Sequence, residues 1–297
     1  MPRFSEETLV NWTIPPSESE ETKLSNAENM VRDAINEDPT LANKSIEVFG
    51  QGSYANDTNV RLNSDIDINV RYTGCFYYDL PPNTSEGDFG LNISPCEYSL
   101  IEFKNDVHTA LIGKFGTESV ERKNKCIKIL GNYYRVETDV VPTWNYRRYN
   151  KWGSYLLGAK LQADSGDHII NYPKQHIENS KQKNSETNRR FKRLTRIYRK
   201  LRYKMIDDGL AVSDSITSFL LECLVWNVPN SIFNDNDTWQ IRLKESIAHL
   251  YRNIKDEEKC DEWVEVSELL YLFRGNRKWS KSDVNSFLID VWNYLGY

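Results

Sequence analysis

Two aspartates separated by one isoleucine, Asp65 and Asp67, lie in the stretch GQGSYANDTNVRLNSDIDINV. Their alternation with apolar residues has a period of two, so both carboxylates are predicted to point to one face of a strand. Like charges this close repel each other, and a site of this kind usually holds a divalent cation. A strand edge that merely solvates two carboxylates has the same pattern, so the pair alone does not establish a metal site.

A glycine-serine turn precedes the two aspartates. Gln51, Gly52 and Ser53 follow the apolar run SIEVF, which predicts a short strand. Gly52 lets backbone N–H groups approach an anion, and Ser53 adds a hydroxyl donor, so the turn suits a phosphate. The order of residues differs from a P-loop, because G-x-x-x-x-G-K-[ST] is missing. We therefore predict that Gln51, Gly52 and Ser53 bind a nucleotide.

A third aspartate lies in KCIKILGNYYRVETDVVP, which predicts a hairpin that turns at Gly131 and Asn132. Glu137 and Asp139 share one face of the returning strand because they are two residues apart. The spacing does not distinguish the two carboxylates, and partial solvation is expected for Glu137.

Taken together, G-S, D-x-D and a later strand with a single Asp before VVP resemble the DNA polymerase beta-like nucleotidyltransferase superfamily. With NYPKQHIENSKQKNSETNRRFKRLTR and SFLLECLVWNVP, the chain is similar to the bacterial cyclic-oligonucleotide synthases (CD-NTases), relatives of animal cyclic GMP-AMP synthase. The resemblance covers most of residues 20–292. It implies a two-lobed enzyme that makes a cyclic di- or trinucleotide second messenger from nucleoside triphosphates, usually in anti-phage defence.

Such an enzyme joins a ribose hydroxyl to the α-phosphorus of a triphosphate and releases pyrophosphate. Two divalent cations suit this reaction, and hard oxygen ligands favour Mg²⁺, with Mn²⁺ as a substitute. Asp65 and Asp67 are expected to bridge both ions. Asp139 is expected to complete one metal site and to take the proton from the hydroxyl. These three aspartates are the predicted catalytic and metal-binding residues.

Positive charge is concentrated in residues 181–204, which hold 11 Lys or Arg and one acid in a chain of net charge −5. From about Asn188 the apolar spacing predicts a helix. Lys192 and Arg196 lie on one flank of its apolar stripe, and the resemblance implies that they contact the triphosphate. Lys200 is predicted to face water. A long nucleic acid is the other ligand that such cations suit, but the acidity of the remaining chain disfavours it.

The segment NYPKQHIENSKQKN is rich in amides, and in enzymes of this family the corresponding segment lies beside the bases. An asparagine amide can pair with the 2-carbonyl and N3–H of uracil, and also with N6 and N7 of adenine. Asn179 is therefore the predicted base reader, and UTP is expected among the substrates. The alternative is that Asn179 caps or turns the backbone before the basic helix.

A sheet is needed to hold the three aspartates, and the first half of the chain predicts one. Residues 45–145 alternate predicted strands and helices. Residues 71–100 are rich in glycine and proline, which predicts an irregular insertion. Before the sheet, a polar lead-in of residues 1–16 precedes a helix whose capping box would begin at Ser17.

The second half of the chain predicts helices, because the apolar period is helical from about residue 155. The expected fold class is α+β, with a DNA polymerase beta-like nucleotidyltransferase sheet lobe and an all-helical C-terminal lobe. We expect residues 1–150 to hold the N-terminal helix and the nucleotidyltransferase core, and residues 151–297 to form the helical lobe.

Composition narrows the class of protein. The hydrophobic share of 39% and the aromatic share of 12% argue against disorder. Five cysteines without a C-x-x-C pair indicate a reduced chain in the cytoplasm and no zinc site. The sequence has neither a membrane-length apolar run nor a signal-peptide core, so no membrane partner is expected. Effector or regulatory proteins are expected to be encoded separately.

Two other functions remain open at this point. The first is a nucleotidyltransferase that modifies RNA ends, an antibiotic or a protein, although no RNA-binding domain is recognisable in the sequence. The second is a non-catalytic nucleotide-binding module, which the complete set of Asp65, Asp67 and Asp139 argues against.

Overall fold

The computed structural model describes residues 2–15, 18–60, 65–133 and 135–297. The chain divides into two compact units. The sheet unit consists of Ser17–Tyr54 and Ser64–Lys174, and the helical unit of Met1–Pro16, Ala55–Asn63 and Gln175–Tyr297. The division after Lys174 differs from the expected boundary at residue 150.

Seven strands of described residues form one mixed sheet. They are β1 Ile46–Gln51, β2 Ile66–Asp79, β3 Val120–Arg122, β4 Ile127–Ile129, β5 Thr138–Tyr149, β6 Tyr155–Gln162 and β7 His168–Asn171. The main path runs β1-β2-β5-β4-β3, and β6 pairs with β5 and β7. Strands β2 and β5 are parallel, whereas the other pairs are antiparallel. The predicted hairpin around Gly131 is confirmed by the pairing of β4 with β5.

The described helices are α1 Glu6–Trp12, α2 Glu18–Glu37, α3 Gly52–Ala55, α4 Leu100–Phe115, α5 Pro173–Glu186, α6 Arg190–Asp207, α7 Ser218–Trp226, α8 Asn230–Asn234, α9 Trp239–Ile254, α10 Glu257–Asp261 and α11 Lys281–Leu295. Among the described residues, none of these helices is long and apolar enough to span a membrane.

The core of the sheet unit lies between the sheet and helices α2 and α4. Ile66 and Ile68 of β2 are fully buried there, together with Phe103 and Val107 of α4. Ser99 begins α4 with a capping box, because its hydroxyl accepts from the Glu102 N–H and the Glu102 carboxylate accepts in return from the Ser99 backbone. The alternation that predicted inward isoleucines in β2 is confirmed.

The core of the helical unit is built around the basic helix α6. The predicted apolar stripe of α6 is fully buried, and it packs with side chains of α7, α9 and α11. The stripe residues are Phe191, Leu194, Tyr198, Leu201 and Met205. The expected helical lobe is therefore confirmed in type.

Three local predictions are wrong. The prediction that the chain is helical from about residue 155 fails because β6 and β7 extend the sheet to Asn171. The predicted insertion at residues 71–100 begins later, because β2 continues to Asp79 across a register shift between Tyr72 and Phe76. The lead-in contains helix α1, which Ser5 caps by accepting from the Thr8 N–H. The predicted capping residue Ser17 lies outside the described residues.

The prediction of a fully reduced chain is also wrong. Cys75 and Cys96 form a disulfide, with their Cα atoms 6.4 Å apart. The 21-residue separation gave no sign of this pairing, because the loop after β2 returns to the strand only in three dimensions. The other three cysteines, Cys126, Cys223 and Cys260, are free thiols.

Candidate active site

One row of side chains crosses four strands of the sheet. Gln51 of β1 is opposite Asp67 of β2, Asp67 is opposite Asp139 of β5, and Asp139 is opposite Lys128 of β4. Residues paired in register project to the same face of a sheet. We call Gln51, Asp67, Asp139 and Lys128 the carboxylate row. Asp65 is exposed and lies immediately before β2, two residues from Asp67.

The glycine-serine turn lies directly against this row. Gly52 has a left-handed backbone with φ +64°, and a Cβ at this position would be 2.2 Å from Asp67 Oδ2. Only glycine avoids both the backbone strain and this collision. Ser53 follows as a buried residue of α3. The predicted turn is therefore packed onto one of the predicted metal ligands.

Asn69 and Thr143, which the sequence prediction missed, support the carboxylate row from the same face of the sheet. Asn69 is buried, its Nδ2 donates to Gln51 Oε1 at 2.9 Å, and its Oδ1 accepts from Thr143 Oγ1 at 2.7 Å. The Gln51 amide oxygen is thus engaged inside the sheet. Asn69 continues the period-two spacing of Asp65 and Asp67, so the alternation itself was a usable signal.

Asp139 has an unusual environment for a carboxylate. Its Oδ1 is buried and has no hydrogen-bond partner among the described residues. Burial raises its pKa, and the charges of Asp65 and Glu137 add to this, while Lys128 and the Cys126 thiol lower it. Burial, with the Asp139 charge second, raises the pKa of Cys126 to about 12. Cys126 is therefore a neutral hydrogen-bond partner of Asp139.

Glu137 is exposed and forms an ion pair with Lys128. That pair occupies its carboxylate, in agreement with the expectation that Glu137 is partly solvated.

The residues present fit divalent cations. The carboxylates of Asp65, Asp67 and Asp139 offer hard oxygen donors, and Asp139 Oδ1 has no hydrogen-bond partner among the described residues. In the part of the chain that the structure describes, no three acidic, histidine or cysteine side chains form a group that could hold a metal ion. The structure thus brings Asp67 beside Asp139 but does not assemble the three aspartates into a metal-binding group, and the metal site stays a prediction.

The predicted phosphate-binding cations belong to the helical unit. Lys192 and Arg196 line a cavity of about 280 Å³ together with Arg189 and Arg193. Arg196 is hydrogen-bonded within this unit. Its Nε donates to the Thr13 carbonyl at 2.7 Å, and its Nη1 donates to the carbonyl of Asp57. Burial lowers the pKa of Lys192.

Asn179 lies in the middle of α5, where its Nδ2 donates to the Val266 carbonyl at 2.8 Å. The alternative that Asn179 caps the basic helix is wrong. That role belongs to Asn184 and Thr187, whose side-chain oxygens accept from the N–H groups of Lys192 and Phe191.

A second polar cluster, which the sequence prediction did not find, lies in the helical unit. The Thr58 hydroxyl donates to Glu222 Oε2 at 3.2 Å, while Arg199 Nη1 donates to the Thr58 carbonyl at 2.9 Å. His176 Nε2 is 3.1 Å from Glu222 Oε1. We call Thr58, His176, Arg199 and Glu222 the Thr58 cluster.

The cluster compensates a fully buried carboxylate. Burial raises the pKa of Glu222, but His176, Arg199 and the Thr58 hydroxyl together lower it by more. Arg199 Nε has no hydrogen-bond partner in the described part of the chain. His176 is thus a structural partner of Glu222 in this cluster.

Comparison with known proteins defines the class of protein. A family model described as the cGAS/DncV-like nucleotidyltransferase C-terminal helical domain matches residues 178–296. The chain is also 61% identical to the cyclic dipyrimidine nucleotide synthase CdnE of Cecembia lonarensis, with 100% of both chains covered. The chain belongs to the CD-NTase family.

Solved structures are similar over nearly the whole chain. The CdnE cyclic dinucleotide synthase of Elizabethkingia meningoseptica with GTP and Apcpp has a TM-score of 0.83 and 36% identity, covering 99% of this chain and 100% of that one. The CdnE c-UMP-AMP synthase of Rhodothermus marinus with Apcpp and Upnpp has a TM-score of 0.85 and 28% identity, covering 99% and 98%. The protein is a nucleotidyltransferase that synthesises a cyclic oligonucleotide second messenger, and the expected α+β fold is confirmed.

Proposed function

We propose that Asp65, Asp67 and Asp139 bind two Mg²⁺ ions and that the protein uses them to make a cyclic dinucleotide with at least one uridine. The observation that carries the proposal is the register of β2 and β5, which sets Asp67 directly beside Asp139. Bound Mg²⁺ would spread the charge that develops on the pyrophosphate leaving group and lower the pKa of the attacking hydroxyl.

The protein side chains have distinct tasks in this reaction. The ribose oxygen attacks the α-phosphorus, the bond to pyrophosphate breaks, and Asp139 takes the hydroxyl proton. Gly52 and Ser53 hold the terminal phosphates by backbone N–H groups and a hydroxyl. Lys192 is proposed to neutralise the triphosphate, whereas the hydrogen bonds of Arg196 to Thr13 and Asp57 make its contribution smaller.

Uridine selection rests on two observations. The Cecembia lonarensis relative is named a cyclic dipyrimidine nucleotide synthase. In addition, the bond from Asn179 Nδ2 to the Val266 carbonyl fixes the amide without using Oδ1, the atom that we propose accepts from uracil N3–H. We therefore retain Asn179 as the proposed base reader and UTP as a substrate.

We place the reaction in bacterial anti-phage defence, as the family resemblance implies, and in the cytoplasm, where nucleoside triphosphates are made and used. Effector and regulatory proteins are proposed to be encoded separately. Modification of RNA ends, an antibiotic or a protein has no specific support among the contacts of the described residues.

Competition among all four triphosphates tests this function. The protein is incubated with the four labelled nucleotides and Mg²⁺, and the products are then treated with phosphatase. We expect a small phosphatase-resistant product that contains uridine. Labelled macromolecules, or a resistant product without uridine, would contradict the proposal. Asn179→Ser is expected to shift incorporation toward purines by about fivefold or more, the scale of one lost hydrogen bond.

A further inference from the structure

Arg71 of β2 is a fully buried guanidinium without hydrogen-bond partners. Its side chain is 0% exposed, and its Nε, Nη1 and Nη2 atoms make no hydrogen bond in the described part of the chain. Buried polar groups in native proteins nearly always have partners, and a buried charge without them is costly. A buried charged group that makes no hydrogen bond is therefore a candidate for binding a ligand.

The immediate neighbours of Arg71 do not satisfy it. Glu47 Oε2 is 3.9 Å from Arg71 Nη1, beyond hydrogen-bond distance, and the other Glu47 oxygen accepts from Lys174 at 2.8 Å. The Arg71 guanidinium carbon lies over the Phe49 ring, 4.7 Å from the ring centroid. This contact orients the guanidinium plane but uses none of its N–H groups. Burial lowers the pKa of Arg71, and Glu47 opposes this only in part.

Arg71 also lies on the face of the sheet that carries the aspartates. Asp67, Asn69 and Arg71 alternate along β2, so they project to the same side. Four residues of strand span about 13 Å. This is of the order of one nucleotide measured from its phosphate to the edge of its base.

We infer that Arg71 is a specificity-determining residue, whose fork donates hydrogen bonds to carbonyl oxygens of a substrate nucleobase, uracil or guanine. Arginine donates two parallel N–H bonds and suits adjacent acceptors, such as O6 and N7 of guanine. Adenine presents an N6–H₂ donor next to N7, which arginine cannot satisfy. The inference rests on the proposed function, because it requires a nucleotide bound at Asp67.

Arg135 provides a matched control in the same unit. It is also buried, at 8% exposed, and lies over an aromatic ring, with its guanidinium 4.8 Å from the Phe115 centroid. It differs from Arg71 because its Nε donates to the Leu130 carbonyl at 3.1 Å. Arg135 therefore represents a buried arginine with a structural partner.

The test compares wild type, Arg71→Met, Arg71→Lys and Arg135→Met by thermal melting and by competition among the four triphosphates with Mg²⁺. We expect Arg71→Met to melt at a higher temperature than wild type, because it removes a buried charge that makes no hydrogen bond and only a 3.9 Å ion pair with Glu47. It should also lower the share of uridine and guanosine relative to adenosine by about tenfold, the scale of one hydrogen bond from a charged group. Arg71→Lys, which keeps the charge without the fork, should show the same shift in base ratio.

Arg135→Met is expected to lower the melting temperature and to leave the base ratio unchanged. An Arg71→Met protein that melts lower than wild type with an unchanged base ratio would overturn the inference. Equal loss of all four nucleotides would overturn it as well, because it would indicate a phosphate contact. Wild type that makes no cyclic product would instead overturn the proposed function itself.

Discussion

The Thr58 cluster of the helical unit and the aspartate-bearing face of the sheet differ in how their buried charges are compensated. In the Thr58 cluster of the helical unit, the Glu222 carboxylate accepts from Thr58 and faces His176, and Arg199 donates to the Thr58 carbonyl. On the sheet face, Asp139 Oδ1 and the three nitrogens of Arg71 have no hydrogen-bond partner among the described residues, and Arg71 has only the 3.9 Å ion pair with Glu47.

We propose that this difference separates groups that stabilise the fold from groups that bind a ligand. A satisfied buried charge is destabilising only when a partner is removed, whereas an unsatisfied one costs stability until a ligand binds. Variants in the Thr58 cluster should therefore lose stability. Variants on the sheet face should lose activity and keep or gain stability.

The largest effect is expected from Asp65→Asn combined with Asp67→Asn. Neutral amides do not hold two divalent cations, so turnover should fall by at least about a thousandfold. Removing the repulsion between the carboxylates should leave the melting temperature without metal equal or higher. A product assay and a thermal melt measure both effects, and substantial residual turnover would refute the metal assignment.

Gly52→Ala is expected to lower turnover by about a hundredfold, because displacing a catalytic group by about 1 Å can have this effect. The added Cβ would be 2.2 Å from Asp67 Oδ2 and must displace the carboxylate. Gly90→Ala is the matched control, since Gly90 has φ +63° but no atom within 4 Å of the added Cβ. If both variants lose activity equally, backbone strain rather than the contact with Asp67 is responsible.

Thr58→Val is expected to lower the free energy of unfolding by about 2 kcal/mol, because it removes the hydroxyl that donates to the buried Glu222 Oε2. Thr195→Val is the control, since the buried Thr195 hydroxyl donates to the Phe191 carbonyl of the same helix, α6. Thr58→Ser, which keeps the hydroxyl, should lose less than Thr58→Val. Urea denaturation gives the free energy of unfolding of all three variants. Equal losses for Thr58→Val and Thr195→Val would show that the Thr58 hydroxyl stabilises the fold no more than an ordinary hydroxyl within a helix.

Lys192→Ala should raise the KM for triphosphates by roughly tenfold, the scale of a hydrogen bond to a charged group. Lys200→Ala should change KM little. Both substitutions remove one positive charge from α6, but Lys192 is 7% exposed and lines the cationic cavity, whereas Lys200 is half-buried outside it. Equal Michaelis constants for the two variants would indicate a general effect of charge.

The aspartates could be predicted from sequence because their signal is local. Period-two spacing places Asp65 and Asp67 on one face, and the register of the parallel strands then brings Asp139 beside Asp67. The same alternation extends to Asn69 and Arg71, but their importance depends on which partners they have, and spacing does not reveal that.

Contacts between distant segments could not be predicted. A helical wheel places Arg196 on one flank of α6, but it does not show that Thr13 and Asp57 supply carbonyl acceptors 183 and 139 residues away. For the same reason the disulfide of Cys75 with Cys96 was missed. Strands β6 and β7 were not predicted. Along β6, YLLGAKLQ, buried and exposed residues do not alternate regularly, so the sequence lacks the period-two pattern of a strand.

Binding of Mn²⁺ tests the central claim most directly, because it reports on the carboxylates without requiring turnover. Calorimetric titration is done with a non-hydrolysable triphosphate present, on wild type and on Asp65→Asn combined with Asp67→Asn. The account predicts two bound Mn²⁺ ions per wild-type chain and loss of both in the variant. Equal binding of Mn²⁺ by the two proteins would contradict it.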